Sequence, residues 1–254
     1  MKGKNYMAQE LVSLEIVRDI GRLCFYNEKG NALSCAMLED LAVKLNKLSE
    51  NTKVTAVVIM SQGNSAFCGG ALLDELDSPA TAKSLFHGFR KVILAIRDSS
   101  KFIIARVHGK TVGGGVGIVA ACDFAFASSQ ASIKLSELSL GIAPFVISLP
   151  LKRKIGLAAL SQLAVEAEWK EPLWALQHGL YTEVLKDAAE VDKRITWLCE
   201  KLSSHNDEAL MEFRRALWEG SDNWSGRLER LADMSYKFSQ SDYVKNRLFS
   251  LKKR

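Results

Sequence analysis

The chain has no CxxC pair, no histidine or cysteine cluster at metal-ligand spacing, no long apolar run and no strong excess of one charge. Each absence excludes something. The five cysteines, Cys24, Cys35, Cys68, Cys122 and Cys199, are scattered and odd in number. Free thiols in a reducing compartment are expected, not a disulfide framework. The four histidines, His87, His108, His178 and His205, lie far apart, so no metal is expected. Without 18 consecutive apolar residues, no membrane span is expected. The opening MKGKNYMAQE lacks an apolar h-region, so no secretory signal is expected and the cytoplasm is the default. A net charge of +5 suits a small anionic ligand and falls short of a nucleic-acid-binding surface. There is no GxGxxG at a strand-to-helix turn and no Gly-Lys-Ser/Thr, so neither a dinucleotide turn nor a P-loop is expected.

What is present is ample apolar sequence. At 254 residues and 48% hydrophobic content the chain can bury a large core. Leu11 to Val17 and Gly21 to Tyr26 read as strands, with Asp19 and Gly21 at the turn between them. Ser34 is placed to cap a helix that carries Met37, Leu38, Leu41, Leu45 and Leu48 on one stripe. Thr52 to Ser61 reads as a strand, and Ala82 to Arg97 as an amphipathic helix. Ile155 to Ala164 and Pro172 to His178 read as helices. From Ala188 onward the pattern is helical, broken once at Gly220.

Two strand-then-glycine turns carry the chemical signal. Val54 to Met60 leads into SAFCGGA (Ser65 to Ala71), and Phe102 to Val107 leads into Gly113-Gly114-Gly115. Val116 to Cys122 is small and apolar, which suits a helix buried on all sides. Glycines there permit positive φ and a close approach to the main chain. A helix following them points free N–H groups back at the turn. Alone, GGG is equally a tight packing turn with no ligand. Two such turns could each supply one N–H, from Ala71 and Gly114, to a single oxygen that becomes negative.

AFCGGALLDEL, HGKTVGGGVGIVAACDFAFAS and LSELSLGIAP, in this order and spacing, resemble the enoyl-CoA hydratase/isomerase (crotonase) superfamily. The texture is most similar to bacterial hydratases of the methylglutaconyl-CoA type, from leucine breakdown. The resemblance runs from about Leu11 to Lys253. It implies an α/β fold: a spiral of repeated β-β-α units over residues 1–190, then a helical region over 191–254 serving trimerisation and the coenzyme A adenine. The implied substrate is an acyl-CoA thioester, so coenzyme A arrives with the substrate and no separate cofactor is expected. A homotrimer or dimer of trimers is implied, with no nucleic-acid or membrane partner. The two glycine turns match the two halves of an oxyanion hole, Ala71 and Gly114, flanked by Cys68, Gly70 and Gly113. The stretch Glu28 to Ala32 matches one that lies against coenzyme A, which marks Lys29 and Ala32. Phe86 and Phe89 match the acyl pocket wall, and Phe249 and Lys252 or Lys253 match a tail near the adenine. For Lys29 and the tail, a plain solvated surface is the competing reading.

The family has two carboxylate positions. The first is Gly117 here; the second is Glu137, in an apolar turn that would raise its pKa and suit acid–base work. Glu75 is either a second pocket carboxylate or an acid favoured by a helix start; the latter is preferred. His108 is read as structural and His87 as facing solvent. Phe145-Val146-Ile147 replaces the family's usual glycine-rich run, which would reshape the acyl pocket toward short or branched chains. The leading expectation is hydration of a short or branched 2-enoyl-CoA. The alternatives are a Δ3–Δ2 enoyl-CoA isomerase using one glutamate, and a catalytically silent binding protein, against which Glu137 and both turns argue. Fold alone does not fix the reaction.

Overall fold

The computed structural model describes residues 12–252; the Leu11 end of the first expected strand and Lys253 lie outside them, as does the side chain of Lys252. The chain opens with a hairpin, β1 (Val12–Val17) and β2 (Ile20–Phe25), and then α1 (Cys35–Glu50). Ser34 caps α1 by accepting the Met37 N–H, and Met37, Leu38, Leu41, Leu45 and Leu48 form its buried stripe.

Three β-β-α turns follow. They are β3 (Ala56–Ser61), β4 (Ala66–Cys68) and α2 (Pro79–Asp98); β5 (Phe102–Val107), β6 (Lys110–Val112) and α3 (Gly114–Ala121); and β7 (Phe124–Ser128), β8 (Ile133–Lys134) and α4 (Glu137–Leu140). The first strand of each turn joins a six-stranded sheet of order β1-β2-β3-β5-β7-β9, parallel from β2 onward; β9 is Glu183–Leu185. The second strand of each turn joins a parallel three-stranded sheet, β4-β6-β8. A chain that alternates between two parallel sheets while advancing one strand per turn is a spiral.

The large sheet is covered on both faces, which is why its strands read as nearly unbroken apolar runs. Val57, Ile59, Ile103, Ala105 and Val107 face the core shared with α1, α2 and α3. Ala56, Val58, Phe102, Ile104 and Phe126 face the other way, against Val191, Ile195, Cys199 and Leu202 of α7 (Ala188–Ser203). The expected boundary at residue 190 therefore falls inside a helix that packs on the spiral.

Two expectations need correcting. The helix expected from Ile155 begins at Ser148 as α5 (Ser148–Glu166), interrupted where Gly156 turns to φ 73°. After α6 (Pro172–Gln177) and α7, the C-terminal region breaks more often than once. Asn206 starts α8 (Asp207–Leu217) by accepting the Ala209 N–H, and α9 (Trp224–Ser239) and α10 (Asp242–Lys252) follow. The side-chain cap at Asn206 was the missed signal.

One buried ion pair ties the helical region to the spiral. Arg214 of α8, 1% exposed, donates from Nε to Asp123 Oδ2 at 2.8 Å. Its remaining N–H groups reach the carbonyls of Ile96 (2.6 Å), Arg97 (3.1 Å) and Ser99 at the end of α2. Asp123 also accepts the Ile103 N–H (2.7 Å) and the Trp218 indole N–H (3.1 Å). Every charge in this cluster is satisfied, and removing one partner strands the other. R214M is expected to cost about 3–5 kcal/mol of stability, read as a lower denaturation midpoint in urea.

Candidate active site

The site is assembled where two glycine turns face one short helix. Gly113 precedes α3 with φ 52°, and its N–H goes to the Lys134 carbonyl at 2.9 Å. That bond pins the turn to β8. The N–H groups of Val116 and Gly117 fold back to the Gly113 carbonyl, at 2.9 and 3.2 Å. The Gly114 N–H, first in the helix, has no acceptor among the described residues.

The other turn frees a second amide. Leu33 forms a parallel bridge with Ala71, using the Gly70 carbonyl (2.8 Å) and the Leu72 N–H (2.9 Å). In that pattern the N–H of Ala71 itself points away from Leu33, and it too has no acceptor among the described residues. The bend comes from Gly70, at φ 90°, whose N–H approaches the Cys68 sulfur at 3.4 Å. Ala71 and Gly114 line one cavity of about 330 Å³.

Glu137 lines the same cavity, as the first residue of α4. Its Oε1 lies 2.9 Å from where a Cβ on Gly113 would sit, so the carboxylate leans directly on the glycine backbone. Its Oε2 is buried and has no hydrogen-bond partner among the described residues. Burial pushes the Glu137 pKa up to about 7, against the lowering pull of the Glu137 and Ser136 backbone. The acid therefore exchanges protons near neutral pH. Two free amides and one proton-exchanging carboxyl on an otherwise largely apolar cavity can hold an oxyanion and move a proton beside it.

Several expected residues meet on this cavity: Ala71, Gly114, Gly70, Gly113, Phe86, Phe89 and Phe145, with Glu137. Phe145 is held by the ring of Phe238 of α9, centroids 5.5 Å apart. Lys29 and Ala32 line an adjoining cleft that shares Gly69, Ala71, Leu73 and Leu251 with the cavity. Lys29 is exposed and ion-paired with Asp74.

Cys68 and Gly117 do not line either space. Cys68 is fully buried and packs behind Gly115, where a Cβ would come within 2.6 Å of it. Gly117 faces Ile147: a Cβ there would lie 2.5 Å from the Ile147 Cβ, so the first carboxylate position is filled by an isoleucine. Phe249 is 61% exposed and lines neither space; on α10 it is Arg247, Leu248 and Leu251 that do. Glu75 does not line the cavity; it turns to α1, accepting the Cys35 N–H at 3.3 Å. His108 lies outside the cavity, and its pKa is lowered by burial and then by Arg106. His87 keeps partial solvent exposure and lies 3.0 Å from Asp233 of α9. The sequence reading missed Ser235 and Arg247, which reach the cavity from α9 and α10. A charged residue in a basic amphipathic helix carries no local signal of where it will dock.

The family model described as "Enoyl-CoA hydratase/isomerase" matches residues 18–252. The chain is 28% identical over 193 residues to a short-chain-enoyl-CoA hydratase of Clostridium acetobutylicum, covering 75% of this chain and 74% of that protein. It is 28% identical over 195 residues to a peroxisomal Delta(3,5)-Delta(2,4)-dienoyl-CoA isomerase of Arabidopsis thaliana, covering 71% and 70%. The crystal structure of an enoyl-CoA hydratase from Mycobacterium avium superposes with a TM-score of 0.83 at 28% identity, over 96% of this chain and 97% of that one.

The raised pKa of Glu137 carries a stability signature. The unfolded glutamate ionises near 4.5, whereas the folded one stays protonated to about 7. Stability contributed by the neutral form is thus full below 4.5, is lost as pH rises toward 7, and stays lost above it. E137Q removes the titration. Relative to wild type, its stability should rise between pH 4.5 and pH 8 by up to about 3 kcal/mol, measured by urea unfolding at both pH values.

Proposed function

The chain belongs to the enoyl-CoA hydratase/isomerase family, and from that premise we propose that it hydrates a short or branched 2-enoyl-CoA thioester with Glu137 as its one acid–base residue. The observation that carries this is the Glu137 carboxyl, whose buried Oε2 has no hydrogen-bond partner among the described residues, on the same cavity as Ala71 and Gly114, whose amides likewise have no acceptor among them. The thioester carbonyl oxygen sits between those two N–H groups. Ionised Glu137 takes a proton from water as the water oxygen bonds to C3, and the electrons of the C2–C3 double bond move toward the thioester oxygen. The two amides hold the resulting enolate. Glu137 then returns the proton to C2, so the net change is addition of H and OH. Acyl length is limited by Phe145 and Ile147 at the cavity's apolar wall, with Phe238 bracing Phe145 from behind. Coenzyme A enters as part of the substrate, and no further cofactor is needed for these steps.

A second reading is isomerisation, favoured by Ile147 filling the position beside Gly117. With one carboxylate, Glu137 removes a proton from C2 of a 3-enoyl-CoA and returns it to C4, moving the double bond to C2–C3. This uses the same enolate and needs no water. The same proposal takes the protein as a cytoplasmic homotrimer or dimer of trimers. Exposed Leu157, Val165, Trp169 and Leu173 on and between α5 and α6 supply apolar surface that an assembly would bury.

The test uses purified protein with paired 2-enoyl-CoA and 3-enoyl-CoA substrates, followed by conjugated-thioester absorbance. Hydration consumes absorbance from the 2-enoyl substrates; isomerisation generates it from the 3-enoyl substrates. In either case kcat/KM should climb through a midpoint near pH 7 as Glu137 ionises. E137Q should be slower by about 10²–10⁴-fold. Turnover of neither substrate class would reject both readings.

A further inference from the structure

Tyr181 is a buried titratable side chain that the enolate chemistry does not touch. It is 1% exposed and lines neither the cavity nor the adjoining cleft. Burial pushes its phenol pKa up, so the group stays a neutral donor through the neutral pH range. Its hydroxyl donates to the Ala131 carbonyl at 2.8 Å and meets the Thr111 hydroxyl in a second hydrogen bond. A hydroxyl is costly to bury, and its hydrogen bonds must offset that cost. Phenylalanine would fill the same space without the requirement.

The two partners lie on the two arms of the site. Thr111 sits on β6, the strand that leads to Gly113 and Gly114, and its methyl group is 3.3 Å from where a Cβ on Gly115 would lie. Ala131 precedes β8, which runs to Lys134, the acceptor of the Gly113 N–H, and on to Glu137. β6 and β8 share two residue pairs, Thr111 with Ile133 and Val112 with Lys134. So short a ladder is marginal without support from other contacts. Lys170 supports β8 from its outer edge by exchanging both backbone hydrogen bonds with Ile133, whereas Tyr181 bears on β6 as well. Behind the ring, Thr182 fixes the chain to the large sheet. It donates its N–H to the Ala125 carbonyl (2.7 Å) and accepts the Ala125 N–H on its hydroxyl (3.0 Å). The phenol is thus a strut from β7 to both strands that carry the functional groups.

We propose that Tyr181 is a positioning residue, whose hydroxyl holds the Gly114 amide and the Glu137 carboxyl at the spacing that enolate formation needs. This rests on the acyl-thioester reading above and deepens it. An error of about 1 Å in such a spacing costs on the order of a hundredfold in rate. Loosening the Ala131 end of β8 also opens the Glu137 turn to water, which lowers the pKa of a carboxyl raised by burial. The other influences on Glu137 stay in place: the backbone at Glu137 and Ser136, and Arg247, the other charged residue lining the cavity among those described.

The test is the pH profile of C2 proton exchange in a saturated short-chain acyl-CoA, run in D₂O for wild type, Y181F, T111V and the double variant. The wild-type rate should rise through a midpoint near pH 7 as Glu137 ionises. Y181F should lower the plateau by about tenfold to a hundredfold and move the midpoint down by at least about half a pH unit. A protein that merely folds less completely loses plateau rate but keeps its midpoint, so the midpoint separates positioning from simple stability. T111V removes the second contact of the phenol and should move both quantities in the same direction; it also decides the matter if Y181F folds poorly. Adding T111V to Y181F should change little further, because the two act through one strut. A midpoint that neither variant moves overturns the proposal, whatever happens to the plateau. Wild-type protein that binds the thioester without exchanging C2 overturns the enolate reading beneath it as well.

Discussion

A carboxyl group buried with an unpaired oxygen is the constraint on which this site turns. Glu137 would be more stable in water, and burial holds its pKa near 7 at the expense of folding free energy. The surrounding fold makes that tolerable. Gly113 has no side chain, so the carboxylate can lie against its backbone. The Gly113 N–H is fixed to Lys134, so the turn cannot rotate to satisfy the acid. The amides that do remain free, those of Ala71 and Gly114, are left for an oxygen that is absent until substrate arrives. Unsatisfied groups of opposite character on one cavity are preorganised for charge that develops during reaction.

The rest of the structure keeps those groups in register. Each turn of the spiral sends one strand to the large sheet and one to the small sheet. The three short strands of the small sheet, β4, β6 and β8, lead to Ala71, Gly114 and Glu137 respectively. The smaller sheet is thus the one that spaces the functional groups. The helical region closes the cavity from outside through Ser235, Arg247 and Leu251, and the Arg214–Asp123 cluster ties it to the strand turns. Asp123 follows directly on Cys122, which caps α3, so the same residue anchors the far helices and ends the helix whose N-terminus supplies the oxyanion donor.

Sequence reading succeeded where the signal was local. Strand β5 was legible to the residue, because Phe102 to Val107 is apolar except for Arg106 and leads to a glycine turn. Glu137 stood out as an acid among leucines. The two turns were legible because only glycine permits their φ angles or close contacts. What failed was long-range. The Gly117 departure looked like a missing acid, yet its meaning depends on Ile147, thirty positions later, packing into the vacated space. Phe249 and Arg247 are two residues apart on one helix and point to different sides; helical phase alone does not say which side meets the pocket. The contact of His87 with Asp233, 146 residues away, had no local signal either.

The most direct test of the central claim is proton exchange at C2 of a saturated short-chain acyl-CoA in D₂O, followed by mass spectrometry. It needs no choice between hydration and isomerisation, because enolate formation by Glu137 under the Ala71 and Gly114 amides suffices. The account requires deuterium to enter C2 with wild-type protein and to fall at least a hundredfold in E137Q. Exchange that E137Q leaves intact, or no exchange by a wild-type protein that binds the thioester, would contradict it.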